Sequence, residues 1–257
     1  MPANVKIIEL TQSSLKKPVL IQGLPGLGFV GKIAVDYLIE QLNSIKLAEL
    51  YSPHLTLPDG DVGIKVEMDG TFLLPKYELY AYTKKSPNLI FLTGDVQPRV
   101  WGQYEVAESV LDFVEKFGCE KIISLGGYSG QSRDPNVVYA IASEQDMIDE
   151  LKKLDTRIAQ NGLVKGAFGV ILGLGKERLM KCLGLLGATR GQYPDIRAAR
   201  SLVRLLTEMY DLPINMEGLD KEIGQMETRM RSLREMRQAG PVREERPTEG
   251  IPSRYIS

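Results

Sequence analysis

Short apolar runs alternate with segments of helical periodicity through most of the chain. The apolar run at 18–21 predicts a buried strand, and the apolar positions of 29–42 recur every three or four residues, which is typical of an amphipathic helix. Because strands that are separated by helices usually lie parallel in one sheet, the pattern favours a largely parallel sheet with helices on both faces. Further strands are predicted at 45–51, 88–92, 121–125, 137–142 and 182–186, further helices at 104–117, 144–154 and 195–210, and either element at 166–174.

One segment departs from this alternation and predicts an antiparallel hairpin. Residues 62–68 alternate between apolar and polar positions, Asp69-Gly70 is a hairpin turn signal, and 71–82 predicts the return strand. Pro75 within that return strand indicates an edge position or a bulge, because proline cannot donate to the ladder. The hairpin makes the predicted sheet mixed. The predicted fold class is therefore α/β, a mixed and largely parallel sheet sandwiched by helices, over residues 1–213.

After residue 213 the pattern changes to a narrow apolar seam on a polar helix. The segment 214–239 carries apolar residues four, three, four and three positions apart, with charged residues filling most other positions. This predicts an amphipathic helix that covers fewer than the about three to four heptads typical of a coiled coil. The seam suits either packing on its own domain or a contact between subunits. Its residues are Leu219, Ile223, Met226, Met230 and Leu233.

The last segment, 240–257, is rich in proline and charge and has little to bury, which predicts a flexible tail. It ends in Tyr255, Ile256 and Ser257. An aromatic and an aliphatic residue at the tip of such a tail have no core to join. Two interpretations stay open, a docking peptide for a partner and an unattached terminus.

Composition narrows the classes of partner and chemistry. Lys and Arg total 32 against 33 Asp and Glu, a formal net charge of −1, which argues against nucleic acid as the main partner. No apolar run approaches the ~18 residues of a membrane span, so no membrane partner is expected. Cys119 and Cys182 stand alone among apolar neighbours, which predicts buried thiols in a reducing cytoplasm and no metal site. His54, the only histidine, leaves a single candidate for imidazole acid–base chemistry.

The turn after the first predicted strand carries the spacing G-x-G-x-x-G at Gly26, Gly28 and Gly31. A strand before and a helix after it are the context of a dinucleotide-binding turn, and Glu49 lies near the spacing of a ribose-binding acid. The same residues nearly match a P-loop, but Ile33 occupies the position of the Mg²⁺-binding hydroxyl, so an active P-loop ATPase is not expected. The alternative is that these glycines let the helix pack closely on the sheet.

Further glycine runs at 126–130 and 173–176 follow other predicted elements. One interpretation is that these runs line a common pocket at the carboxyl edge of the sheet. The alternative is that their glycines let helices pack closely on the sheet. No polar cluster has the arrangement of nucleophile, base and orienting group that acyl transfer needs. We therefore expect no catalytic residue, no metal and no cofactor.

Five stretches between about residues 15 and 215 carry a family resemblance: 23–34, 94–98, 125–128, 172–178 and 193–199. In this order they resemble the archaeal proteasome-assembly-chaperone family, relatives of the second subunit of the eukaryotic assembly-chaperone pair. The resemblance implies a nucleoside-phosphorylase-like α/β fold without enzymatic activity. It also implies homo-oligomers that bind the α ring of the 20S proteasome in the cytoplasm.

Family members dock on that ring through a flexible C-terminus that ends in a hydrophobic residue, tyrosine and any residue. Here Tyr255 is third from the end and follows Arg254, so the pattern is displaced by one position. The resemblance carries partner binding over to Tyr255, Ile256 and Ser257 in this loose form. The alternatives are a nucleotide-binding enzyme that uses the Gly26–Gly31 turn, and a structural oligomer with a different partner.

Overall fold

The computed structural model describes residues 5–58, 60–130, 132, 134–191, 194–221 and 223–225. The chain divides into two compact units, Met1–Leu219 and Asp220–Ser257. The helices of the first unit are α1 (Val30–Gln41), α2 (Gln103–Glu115), α3 (Gln145–Lys152), α4 (Gly166–Glu177) and α5 (Ile196–Tyr210). Its strands are β1 (Lys6–Glu9), β2 (Val19–Gly23), β3 (Ile45–Tyr51), β4 (Lys65–Val66), β5 (Phe72–Leu73), β6 (Tyr77–Tyr82), β7 (Leu89–Gly94), β8 (Lys121–Tyr128), β9 (Val138–Ala142), β10 (Arg157–Ile158) and β11 (Lys181–Ala188).

The main sheet of the described residues has nine strands in the order β1-β3-β6-β7-β2-β8-β11-β9-β10. Its centre is parallel, since β2 pairs with β7 and β8, and β8 pairs with β11, all in the same direction. On one side β6, β3 and β1 continue antiparallel, and on the other β9 runs antiparallel to β11. The predicted mixed α/β sheet is confirmed.

Helices cover both faces of the sheet and form two apolar layers. On one face α1 and α5 contribute fully buried residues such as Leu38 and Leu202. On the other face α2 and α4 contribute Leu111 and Ile171. The ambiguous pattern at 166–174 is therefore a helix. Gly175 of this helix packs on the sheet, next to the side chains of Ile122 and Cys182.

The predicted hairpin is present but lies outside the main sheet. Strands β4 and β5 pair around the Asp69-Gly70 turn as a separate two-stranded sheet. The single return strand predicted at 71–82 is wrong, because β5 ends at Leu73 and a separate strand of the main sheet, β6, begins at Tyr77, with Pro75 in the break between them. After this break β6 joins the main sheet between β3 and β7. The sequence pattern also missed β1 and β10, which are short edge strands.

Leu219, the first residue of the predicted seam, is fully buried in the core that α1 and α5 share. For this position the structure supports packing on its own domain. Ile223 is half-buried, in a helical stretch at 223–225. The remaining seam residues and the tail, Met226, Met230, Leu233 and 240–257, lie outside the described residues, and the proposed subunit contact there stays a prediction. Among the described residues, no helix combines the length and the apolar character that a membrane crossing requires.

Candidate functional site

Backbone contacts hold the glycine-rich turn between β2 and α1. The amide of Phe29 donates to the carbonyl of Gly26 at 2.9 Å, and the amide of Asp195 donates to the carbonyl of Gly28 at 2.8 Å. Gly28 has a φ of +63°, the left-handed conformation that glycine adopts without strain. A Cβ at this position would lie 2.8 Å from Oγ1 of Thr189. The left-handed conformation of the turn and the close contact with Thr189 therefore both require a glycine at position 28.

Three further glycines let the turn and α1 pack backbone to backbone against the sheet. A Cβ at Gly31 would lie 2.1 Å from the carbonyl oxygen of Leu125 on β8. A Cβ at Gly23 would lie 2.1 Å from the carbonyl of Gly31, and one at Gly127 would lie 2.2 Å from the carbonyl of Leu27. Close packing thus accounts for these glycines whether or not the turn binds a ligand.

Glu49 does not lie near this turn, so the prediction of a ribose-binding acid there is wrong. The strand order separates β3 from β2 by β6 and β7, whereas the dinucleotide fold places the corresponding strands side by side. Glu49 instead accepts hydrogen bonds from Nζ of Lys76 and, at 2.8 Å, from the hydroxyl of Tyr51. Its carboxylate is already engaged in an ion-pair cluster.

A cavity of about 450 Å³ opens at the carboxyl ends of β2, β8 and β11. Gly26 of the turn lines it together with Gly126 and Gly127 from β8. Two of the three glycine runs therefore meet at one cavity. The third run, 173–176, lies within α4, where a Cβ at Gly175 would come 2.4 Å from the side chain of Ile122. This third run packs a helix on the sheet and does not line the cavity.

Two glutamine side chains organise the polar side of the cavity. The buried Gln22 donates from Nε2 to Oγ of Ser124 at 3.1 Å and to the carbonyl of Ala167 at 3.3 Å. Gln97 donates from Nε2 to the carbonyl of Pro25, and its Oε1 accepts from the amide of Ala167 at 3.3 Å. Gln97 thereby ties the glycine turn to the first turn of α4. Sequence analysis did not single out either side chain, although Gln97 lies in 94–98, one of the stretches that carry the family resemblance.

The chemistry that this cavity offers is hydrogen bonding and apolar contact. Within the described part of the chain, Lys165 is the one charged residue in its lining, and it is exposed. Tyr128, Phe168 and Leu163 supply aromatic and aliphatic surface, and no described lining residue is a histidine, cysteine or carboxylate. Of the side chains that can serve in acid–base catalysis, the described lining holds the Lys165 amine and the Tyr128 hydroxyl. The cavity is suited to binding.

His54, the single imidazole candidate, does not line this cavity. Its Nε2 lies 3.0 Å from Oε2 of Glu105 on α2, and its carbonyl accepts the amide of Arg99 at 2.9 Å. A Cβ at Gly102 would lie 2.0 Å from the imidazole ring. These contacts hold the loop after β3 against the start of α2.

A second cavity, of about 510 Å³, is lined by residues of α1, β3, β6, β7 and the β4–β5 hairpin, several of which form ion pairs. Nζ of Lys46 lies 2.5 Å from Oε1 of Glu78, and Nζ of Lys76 lies 3.2 Å from the same oxygen. Burial raises the pKa of Glu49, but hydrogen bonds from Lys76, Tyr51 and Lys46 outweigh it and lower this pKa to about 2. Sequence analysis missed the cluster because its members come from different strands.

The described residues contain no group of three or more His, Cys, Asp or Glu side chains that is placed to hold a metal ion. Cys119 and Cys182 are free and buried, which confirms the prediction of buried thiols. Burial raises the pKa of the Cys182 thiol to about 11, so the reactive thiolate is disfavoured there.

The fold and these cavities can be compared with known proteins. Residues 20–234 match the PAC2 family. This chain belongs to the PAC2 family. The predicted resemblance to archaeal proteasome-assembly chaperones is confirmed, since solved structures with the same fold include proteins described in those terms.

Two of these structures come from Pyrococcus furiosus. PbaB, described as an archaeal proteasome activator, is 32% identical with a TM-score of 0.82, over 90% of this PAC2 chain and 99% of that chain. PbaA, described as an archaeal homolog of proteasome-assembly chaperone, is 26% identical with a TM-score of 0.76, over 92% of this chain and 94% of that chain. An uncharacterised protein of Methanocaldococcus jannaschii is 28% identical over 226 residues, which are 87% of this chain and 84% of that relative.

Of the residues predicted to act in this PAC2 protein, the structure places Gly26 and Gly28 in the turn after β2 and Gly31 in the first turn of α1. Only Gly26 among them lines the 450 Å³ cavity. The predicted partner-binding residues, Tyr255, Ile256 and Ser257, lie outside the described residues, and their function stays a prediction.

Proposed function

We propose that this PAC2-family chain is a non-enzymatic chaperone that acts as a cytoplasmic homo-oligomer on the α ring of the 20S proteasome. The observation that carries this proposal is the 32% identity with PbaB over 90% of the chain, because PbaB is described as a proteasome activator. The likeness to PbaA, described as a homolog of a proteasome-assembly chaperone, points to the same partner.

Exposed apolar side chains on the body of the protein support a protein partner. Val100, Trp101 and Tyr104, at the start of α2, are 79%, 71% and 64% exposed. The guanidinium of Arg99 lies 5.6 Å from the Trp101 ring. Aromatic residues and arginine are enriched where proteins meet, and clustered apolar residues at the surface often mark such contacts.

In this proposal the C-terminal tail makes the contact with the α ring through Tyr255, Ile256 and Ser257. A short peptide contributes little affinity once the entropic cost of ordering it is subtracted. Several tails on one oligomer bind more tightly, because each bound tail raises the effective concentration of the next. The seam of Ile223, Met226, Met230 and Leu233 would project these tails or join the subunits.

The test is to delete 251–257 and measure capture of purified proteasome α subunits, with native mass spectrometry of the same samples. We expect capture to weaken at least tenfold while the mass of the oligomer stays unchanged. Thr248→Ala, in the same tail but before its tip, is the matched control and should capture normally. Unchanged capture by the truncated chain would refute the tail contact. Failure of the full chain to capture α subunits would refute the proposed partner.

The alternative function is a nucleotide-dependent enzyme that uses the Gly26–Gly31 turn. Its support is the position of Gly26 in the lining of the cavity at the carboxyl edge of the sheet. The packing requirements of Gly28 and Gly31 weaken it, because they explain the motif without a ligand. Direct ligand titration, described below, separates the two functions.

A further inference from the structure

The β4–β5 hairpin and the residues that flank its strands expose six large apolar side chains. In its ladder Lys65 lies opposite Leu73, and Val66 lies opposite Phe72. Because successive side chains of a strand point to opposite faces, residues two positions apart share a face. Val66 and Phe72 therefore share one face, and the exposed large apolar residues of the hairpin and its flanking segments are together called here the outer face: Val62, Ile64, Val66, Met68, Phe72 and Leu74.

This outer face is exposed to solvent. Val62 is 79% exposed, Phe72 is 69% exposed, and Met68 is fully exposed. Ile64, Val66 and Leu74 are also exposed. Glu67 and Leu73, which share the opposite face, are less exposed. The hairpin therefore presents its apolar face to water.

The opposite face of the hairpin is directed to the domain. Lys65, Glu67 and Leu73 line the 510 Å³ cavity that holds the ion-pair cluster. Nζ of Lys65 lies 3.1 Å from Oε1 of Glu67 and 3.9 Å from Oδ2 of Asp95. An antiparallel sheet normally packs its apolar face on the core and leaves its polar face in water. This hairpin has the reverse orientation, so the core of its own domain does not explain its apolar residues.

A groove of about 380 Å³ extends the outer face at the base of the hairpin. Val62 and Leu74 line this groove together with Pro53, Leu55 and Pro75. The six outer-face side chains alone expose an area on the order of 600 Å². This is close to the ~800 Å² that each partner buries in an interface of standard size.

We propose that the outer face of the hairpin, with its groove, is covered by a second copy of this chain. This inference deepens the homo-oligomer of the proposed function and rests on it for the existence of the assembly. Interfaces between identical subunits are more apolar than other protein surfaces. The six residues of the outer face are all apolar, and Lys6 is the charged residue in the lining of the groove.

The experiment compares full-length Phe72→Asp and Met68→Asp with the wild type by native mass spectrometry and light scattering over a dilution series. We expect the dissociation constant between copies to rise at least tenfold, toward monomers of 28.6 kDa, because a carboxylate would be buried in an apolar contact. The matched control is Leu179→Asp, since Leu179 is a 94% exposed leucine after α4 with a φ of +61°, which aspartate tolerates. It should leave the mass unchanged. The proposal would be overturned if the oligomer of the Phe72→Asp variant had the same mass as that of the wild type. It would also be overturned if the wild type were a monomer.

A second measurement does not depend on the folding of these variants. A photo-crosslinking amino acid in place of Met68, in a mixture of isotopically light and heavy chains, should give crosslinks between light and heavy copies. Crosslinks only within single chains would contradict the contact.

Capture of α subunits separates this inference from the proposed function. A Phe72→Asp variant that keeps its oligomer mass but loses α-subunit capture would show that the outer face binds the proteasome, which overturns the inference. If the wild type captures no α subunit while Phe72→Asp still dissociates the oligomer, the proposed partner is wrong and the inference stands.

Discussion

The position that a side chain of Gly31 would occupy lies 2.1 Å from the carbonyl oxygen of Leu125. Helix α1 therefore meets β8 backbone to backbone at its first turn. This contact joins the glycine-rich turn to the strand that ends at the 450 Å³ cavity. It shows that one glycine of the apparent nucleotide motif is required by the packing of a helix on a sheet.

Gly31→Ala is accordingly expected to lower the free energy of unfolding by about 3 kcal/mol, since either backbone must move to admit the methyl group. Urea denaturation measures this change. The matched control is Gly173→Ala in α4, where a Cβ would meet nothing within 4 Å. This substitution should raise stability by roughly 0.5–1 kcal/mol, because alanine costs less conformational entropy in a helix. Equal stabilities of the two variants would contradict the packing explanation.

Millimolar ATP or NAD is expected to leave the melting temperature of the wild type unchanged, which thermal denaturation with and without each ligand will measure. A ligand at about 100 times its dissociation constant would stabilise the fold by about 2.7 kcal/mol and raise the melting temperature clearly. The informative variant is Gly26→Ala, because a Cβ there meets its nearest neighbour, Nε2 of Gln97, at an ordinary 3.6 Å. If either ligand raises the melting temperature of the wild type and Gly26→Ala removes this rise, the nucleotide-dependent alternative is supported.

Glu49→Gln is expected to remove part of the stability that the wild type has at neutral pH. Hydrogen bonds from Lys76, Tyr51 and Lys46 lower the pKa of Glu49 from 4.5 to about 2 in the folded state, against the effect of burial. The folded protein then binds fewer protons than the unfolded chain as the pH falls from about 4.5 to 2, so acid removes this contribution. We expect a cost of roughly 2 kcal/mol near neutral pH that shrinks toward zero near pH 2.

Urea denaturation at several pH values measures this difference. Glu9→Gln is the control, because Glu9 lies at the end of the edge strand β1 and is exposed. Its effect on unfolding should stay within about 0.5 kcal/mol. A cost for Glu49→Gln that is independent of pH would show that the charge of this carboxylate does not produce the stability.

Gln97→Ala is expected to lower stability by about 1–2 kcal/mol, because it leaves the Pro25 carbonyl and the Ala167 amide without this partner. The amide of Ala167 should then exchange with solvent faster, which hydrogen-exchange mass spectrometry of peptides from 163–172 will detect. Gln160→Ala is the matched control, since Gln160 lines the same cavity but is exposed. Equal exchange in both variants would contradict the bridging function of Gln97.

The sequence by itself predicted most elements and the class of the fold. Strands β2, β7 and β8 and the helices α1, α2 and α5 each bury a regular set of apolar side chains, so their periodicity is visible along the chain. Five ordered stretches were enough to indicate the family. The cavity was foreseen in part, because Gly26 and the run at 126–130 each follow a predicted strand.

Only the tertiary structure decided which distant segments meet. The strand order places Glu49 away from the glycine turn. Gln97 contacts the start of α4, which is 70 residues away in the chain. The alternation at 62–68 predicted a strand with two different faces, but not that the charged face would turn inward. On that inward face Nζ of Lys65 lies 3.9 Å from Oδ2 of Asp95, which follows β7. The energy of such a pair depends on three-dimensional distance and burial, which no local pattern contains.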